Sequence, residues 1–144
     1  MTKTHLIFDL DGTVIDSSHR QRHVDGVLDL AHWRANATRE NIMRDTLLPL
    51  AHLWRAVQAS HPVIVCTARN ITSADVDFLS MHGLRYKALL SRPAGDLTPD
   101  PLLKLRLLET MYRHIYTPTA GIFFDDRQDN LDAVATLGVT VKKA

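Results

Sequence analysis

Cysteine is all but missing from the 144 residues: Cys66 stands alone. That excludes an internal disulfide framework and any cysteine-based zinc finger, and it is compatible with a reducing cytosol. No apolar run approaches the roughly 20 residues of a membrane span, and the N-terminal stretch MTKTHLIFDLDGT is soon broken by acids. A soluble, cytoplasmic protein with no membrane partner is expected. Charge of one sign is also lacking, since 17 Lys and Arg against 16 Asp and Glu leave a formal +1, too balanced to announce nucleic acid by itself. The 8 histidines include no HExxH or other close pairing that presents two imidazoles to one metal. There is no internal repeat and no low-complexity tract. What is present, 45% hydrophobic and 23% charged residues, excludes disordered and fibrous classes and predicts one domain. Such a chain buries about two-thirds of the surface it exposes when unfolded, enough for a core without a structural metal.

Short apolar runs bounded by acids or turn formers read as strands: His5 to Phe8, Val63 to Cys66 after Pro62, Tyr86 to Leu90, Ala120 to Phe124 and Val139 to Val141. Between them lie helical patterns. Pro49 suits a first helical position, and Leu50, Leu53, Trp54 and Val57 then fall on one face through Ser60. Thr72 or Ser73 caps a helix through His82, stopped by Gly83. Asp100 and Pro101 open another to about Ile115, and a last one runs from about Asp129 to Leu137 before Gly138. The alternation predicts an α/β fold, a Rossmann-like parallel sheet with helices on both faces and right-handed crossovers. The stretch of about 14–46 exceeds what one crossover needs, and it reads as a small helical flap inserted after strand one. The alternative is a packed peripheral helix pair.

Acids end two of the apolar runs, Asp9 and Asp11 in FDLDGT and Asp125 and Asp126 in FFDD. Four carboxylates in one crevice repel by about 3 kcal/mol per pair at ~5 Å and an effective dielectric near 20, so convergence would demand a cation. Oxygen-only ligands select a hard ion, and Mg²⁺ is expected on Asp9, Asp11, Asp125 and Asp126. Thr67 in VCTAR adds a hydroxyl at the end of strand two, and Lys104 lies in the first turn of the helix opened by Asp100. In an open parallel sheet these elements meet outside the carboxyl ends of the strands. As chemistry the set describes phosphoryl transfer. Asp9 attacks phosphorus, Asp11 two residues on serves as acid and base, and Thr67, Lys104 and the metal hold the nonbridging oxygens.

DLDGT at 9 to 13, Thr67, Lys104 and the Asp125/Asp126 pair resemble, in order, the four motifs of the haloacid dehalogenase superfamily. The resemblance implies that Asp9 is both nucleophile and metal ligand, that Asp11 is the acid/base, and that the acidic pair completes the Mg²⁺ site. The presence of Asp11 points to a phosphatase and away from the dehalogenases. SHR at 18 to 20, CTAR at 66 to 69, SRPAGDLTPDPLLK at 91 to 104 and FDDRQDN at 124 to 130 look like the 3′-phosphatase domain of phage-type polynucleotide kinase. That likeness implies substrate binding by Gly12, Thr13, Arg69, Arg92 and Arg127, with Arg92 and Asp96 shaping a rim near Lys104. It makes polynucleotide 3′-phosphate ends the expected substrate, with a separate kinase or ligase as a partner. Three departures open a second reading. No P-loop GxxxxGK[ST] is present, so the 5′-kinase half is absent, and the usual Trp-Arg pair of the last helix is replaced by Ala133 to Thr136. The chain also stops soon after strand five, a shorter tail than that family's, which suits a smaller substrate such as a free nucleoside monophosphate.

The flap carries His19, Arg20, Arg22, His23, Arg34 and Arg39, a basic lid suited to a phosphate-rich strand, and Trp33, which either stacks on a base or joins the core. Cys66 sits among apolar residues and reads as packing. Asp75, Asp77 and Asp132 read as acids on solvated helix faces. Two non-enzymatic alternatives remain at this point, a phospho-receiver module and a scaffolding member of the superfamily. A receiver would place its lone acceptor Asp on a middle strand, where this chain has Thr67.

Overall fold

A computed structural model describes residues 3–144; the first two residues of the N-terminal stretch lie outside the described residues. Strand β1 (His5–Phe8) leads into an excursion built from β2 (Ile15–Asp16), a 3₁₀ turn at Ser18–Arg20, β3 (His23–Val24) and β4 (Val27–Leu28). The excursion continues through α1 (Leu30–Ala35), α2 (Arg39–Met43) and β5 (Thr46–Leu47). Regular alternation follows: α3 (Leu50–Val57), β6 (Val63–Cys66), α4 (Ser73–Met81), β7 (Ala88–Leu90), α5 (Asp100–Tyr112), β8 (Gly121–Asp125), α6 (Gln128–Ala135) and β9 (Thr140–Lys143).

The expected α/β architecture is present as one parallel sheet in the order β7-β6-β1-β8-β9. Every residue of β1 and β6 is buried, as a strand covered on both faces requires. Alternate side chains divide between two cores. Leu6, Phe8, Val63 and Val65 pack with Ala51 and Trp54 of α3 and Phe78 and Leu79 of α4. Ile7, Ile64, Cys66 and Phe123 pack with Leu108 and Met111 of α5 and Leu131 and Val134 of α6. Phe8 anchors the first core, stacking on Trp54 at 5.4 Å and on Phe124 at 5.0 Å between ring centroids. The edge strand β9 ends in the exposed lysines Lys142 and Lys143, which discourage pairing with another chain.

The flap differs from the helical insertion expected. Between β1 and α3 the chain makes two antiparallel ribbons, β2 with β5 and β3 with β4, beside the two short helices. Each ribbon strand has two residues, too few to show any periodicity in sequence. The β2–β5 ribbon closes the base of the excursion by pairing Ile15 with Leu47. Ile15 and Ile42 sink into the first core, and Arg39 reaches Asp77 on α4 at 2.9 Å, so the flap is moored to the sheet domain. Among the described residues no helix is long and apolar enough to cross a membrane.

Candidate active site

Sheet register sets the first condition of the site. Phe8 lies level with Phe124, so Asp9, just past β1, and Asp125, the last residue of β8, lie side by side at the edge of the crevice. Strand order reverses between β6 and β8 around β1, which opens a crevice at the carboxyl ends there. Lys104, one turn into α5, fills the base of that crevice. It is 1% exposed, and its Nζ donates to Asp9 Oδ1 at 2.7 Å and Asp125 Oδ2 at 2.6 Å. Thr13 donates its hydroxyl to the other oxygen of Asp9 at 2.8 Å, fixing the carboxylate in plane. Asp125 also accepts from Arg127 N at 2.9 Å, and from Asn130 Nδ2 at 3.2 and 3.1 Å. Asn130 escaped the sequence reading. Its signal was its place in the first turn of the helix that follows the acid pair, from which a side chain points back over Asp125.

Asp9, Asp125 and Asp126 bring carboxylate oxygens within 4.8 Å of one another. With all three ionised, their charge would exceed the single ammonium of Lys104 by two. Burial, and then the Asp125 charge, push Asp9 up to about 7 despite the opposing pull of Lys104. Burial and the neighbouring Asp125 also raise Asp126. Lys104 goes the other way: burial opposes its charge, but Asp9 and Asp125 outweigh that and hold it protonated. An all-oxygen donor set with surplus negative charge fits a hard divalent cation such as Mg²⁺. Gly12 makes room for the Asp126 carboxylate, because at φ +80° a Cβ there would overlap Asp126 Oδ2 and stand 2.8 Å from its Cγ.

The fourth carboxylate expected on the metal is held elsewhere. Asp11 accepts from Ser17 Oγ at 2.8 Å through Oδ1, and its Oδ2 lies 3.3 Å from Arg69 Nε. Backbone that has left β1 after Phe8 no longer alternates strictly, so the two-residue spacing brings Asp11 into the same cavity as Asp9 without joining the cluster. Arg69 continues to Asp75 on α4, Nη1 to Oδ1 at 3.1 Å. Asp75, read from sequence as a surface acid, is 2% exposed. It accepts from Thr72 N at 2.9 Å, and the Thr-x-x-Asp spacing at the helix start was the available signal.

Thr67 is buried at the end of β6, its Oγ1 accepting from Arg69 N at 3.3 Å. Arg92 lines the cavity and also braces the segment before α5. It donates to the carbonyls of Ala68 at 2.6 Å, Asp96 at 2.9 Å and Thr98 at 2.7 Å, and to Asp100 Oδ1 at 2.8 Å. Arg127 lines the cavity and is half exposed, tied to Asp100 at 3.0 Å and to Asp129. Cys66 packs as expected: burial pushes its thiol up to about 12, so it carries no nucleophile.

A cavity of about 530 Å³ opens over this floor. Asp9, Asp11, Thr67, Arg69, Lys104 and Asp126 line it from the sheet domain, and Arg20, Gln21, Leu28, Leu30, Trp33 and Arg34 from the flap. The basic lid read from the sequence is neutralised in part, and Arg34 stays exposed at the cavity. Arg20 is 2% exposed and clamped by Asp45, Arg22 pairs with Asp29, and Arg39 pairs with Asp77.

The family model of the bacteriophage T5 5′-deoxynucleotidase matches residues 1–94. That segment holds Asp9, Asp11, Gly12, Thr13, Thr67, Arg69 and Arg92, while Lys104 and the acidic pair lie beyond it. The 5′-deoxynucleotidase of Escherichia phage T5 is 41% identical over 86 residues, 56% of this chain and 35% of that protein. The chain thus spans about a third of the length of this relative. A haloacid dehalogenase-like family hydrolase from Streptococcus pneumoniae superposes with a TM-score of 0.73 at 16% identity, covering 96% of this chain and 83% of that one. A chain of the Pnkp1/Rnl/Hen1 complex superposes with a TM-score of 0.73 at 21% identity, covering 98% of this chain and 45% of that one. The fold is therefore that of the haloacid dehalogenase superfamily, as the sequence motifs implied.

Proposed function

This chain belongs to the bacteriophage T5 5′-deoxynucleotidase family, and from that premise we propose that it is a phosphatase removing the 5′-phosphate of deoxynucleoside monophosphates through a phosphorylated Asp9. The observation that carries the reading is the cavity. It has an acidic floor with surplus negative charge under a flap whose Arg20, Arg22 and Arg39 are already ion-paired. A space of about 530 Å³ is of the size that small-molecule ligands occupy. Of the two flap arginines lining the cavity, Arg20 is held by Asp45 and Arg34 stands exposed without an ion pair among the described residues, an arrangement that suits one phosphate better than a chain of them.

Asp9 is oriented for attack by Lys104 on one oxygen and Thr13 on the other. The Asp9–phosphorus bond forms as the bond from phosphorus to the sugar 5′-oxygen breaks, and Asp11 in its acid form gives that oxygen its proton. Asp11 then takes a proton from water, whose oxygen attacks phosphorus, and the Asp9–phosphorus bond breaks to release phosphate. Thr67 and Arg69, at the end of β6, face the same cavity and donate to the nonbridging oxygens. Asp9, Asp125 and Asp126 would hold Mg²⁺, which when bound offsets their surplus charge and that of the phosphoryl group. The segment 14–46 acts as a cap that shields the reacting atoms from bulk water.

Phosphate release from the four deoxynucleoside monophosphates, beside an oligonucleotide ending in a 3′-phosphate at equal concentration, tests the reading. Release from the mononucleotides should need Mg²⁺ and vanish in Asp9→Asn. Selective release from the oligonucleotide would move the assignment to strand ends, and release from neither would end the phosphatase reading.

A further inference from the structure

The two tryptophans of the chain have opposite settings. Trp54 is fully buried in the first core, with its Nε1 donating to Arg85 O at 2.7 Å. Trp33, on α1 of the flap, belongs to neither core, is half-buried, and lines the cavity that holds Asp9. A large aromatic ring held outside both cores and facing the site asks for a partner.

Its surroundings narrow what that partner is. The guanidinium of Arg20 lies over the indole, Cζ 4.3 Å from the ring centroid. Arg20 is itself fixed: Asp45 accepts from its Nε at 3.0 Å and its Nη2 at 2.9 Å, and His19 Nε2 stands 2.7 Å from the same carboxylate. The buried pair therefore pins the indole, and the rotamer entropy of ordering a stacking platform is spent at folding, before any ligand arrives. Arg20 Nη1 is buried without a hydrogen-bond partner. Leu28, Leu30 and Ile42 of the flap add apolar lining. Leu97, 83% exposed on the loop before α5, adds more from a different element.

Resting on the nucleotidase reading above, we propose that the flap forms a nucleobase subsite in which the base of the substrate stacks on the indole of Trp33, so that Trp33 sets the preference for nucleotides over base-less sugar phosphates. The chemistry recognised is a flat, conjugated ring joined to a phosphorylated sugar. The phosphoryl group engages Asp9 and its neighbours while the ring occupies the apolar end of the same cavity. Stacking reads the face of a base and not its edge, so all four bases are admitted.

Two measurements decide it. The first is the ratio of kcat/KM for dAMP to that for 2-deoxyribose 5-phosphate. Trp33→Ala should lower that ratio by about 5- to 100-fold, the range that one base–aromatic stack supports. Trp33→Phe should keep most of it. An unchanged ratio in Trp33→Ala, with far-ultraviolet dichroism showing a folded protein, overturns the subsite. The second measurement does not depend on turnover. Tryptophan emission of Asp9→Asn should be quenched by dAMP and far less by 2-deoxyribose 5-phosphate, and the difference should disappear in Asp9→Asn/Trp33→Phe. Quenching that survives Trp33→Phe would assign the base elsewhere. Failure of the nucleotidase reading looks different, since wild-type protein would then show no preference for dAMP to lose.

Discussion

Replacing Lys104 by methionine removes the ammonium that bridges two buried carboxylates while keeping most of the side-chain volume. Each contact is short, 2.7 Å to Asp9 and 2.6 Å to Asp125, and the three groups are 6% exposed or less. Breaking a buried pair from one side leaves its partner uncompensated, a loss of about 3–5 kcal/mol, a large part of the ~5–15 kcal/mol that holds a domain folded. The penalty should depend on pH in a defined direction. Burial already raises the folded Asp9 carboxyl to about 7 from its ordinary value of 3.8, and removing Lys104 raises it further. A carboxyl whose folded value lies above its unfolded one contributes stability that is present at low pH and lost as pH rises through the folded value. Below about pH 7 Asp9 holds its proton in both proteins, and the difference between them is smallest. Above that it grows by up to about 1.4 kcal/mol per pH unit, until the carboxyl of the variant also ionises. Urea unfolding of metal-free wild type and Lys104→Met from pH 6 to 9 measures this directly. Equal stability at pH 8, or a penalty with no slope in pH, would refute the charge accounting of the site.

Gly12→Ala should fold but lose phosphatase activity and thermal stabilisation by Mg²⁺ together. Its Cβ must displace the Asp126 carboxylate, and its positive φ adds about 1–2 kcal/mol of strain; calorimetric Mg²⁺ titration checks the coupling. In the wild type, Mg²⁺ and the proton compete for Asp9, so apparent Mg²⁺ affinity should rise close to tenfold per pH unit up to about pH 7 and level off above it. Titration at pH 5.5, 6.5 and 7.5 reads this, and a flat profile would remove Asp9 from the ligand set.

The sheet and the floor of the site were legible because each rests on a strong local rule. Buried parallel strands must be continuously apolar, and HLIF and VIVC fill β1 and β6 from end to end. An acid at the end of such a run has nowhere to hide, which made Asp9 and Asp125 visible. Three things were hidden, each for a physical reason. Buried ion pairs invert the hydrophobic pattern, so Asp75 and Arg20 read as surface charges although each is 2% exposed. Two-residue strands have no period, so the flap ribbons left no trace. Side-chain direction beyond the end of a strand is set by turn geometry, here the hydrogen bonds of Thr13, Val14 and Ile15 N to Leu10 O, and these direct Asp11 to Ser17 and Arg69 and away from the carboxylate cluster.

Charge pairing in the flap also bears on how many phosphates the cavity receives. Binding along a strand draws its affinity from Lys and Arg that replace counterions on successive phosphates, which requires cations free to leave their present partners. Arg22 and Arg39 are tied to Asp29 and Asp77 on the surface, where a pair is worth about 0–1 kcal/mol and a phosphate can compete. Arg20 is different, because releasing it would strand Asp45 in the interior and withdraw the cation that backs Trp33. Its buried position therefore makes a fixed wall of the cavity, as the nucleobase subsite proposed above requires. A strand-binding cap would need more arginines free of partners and aromatic rings able to follow successive bases.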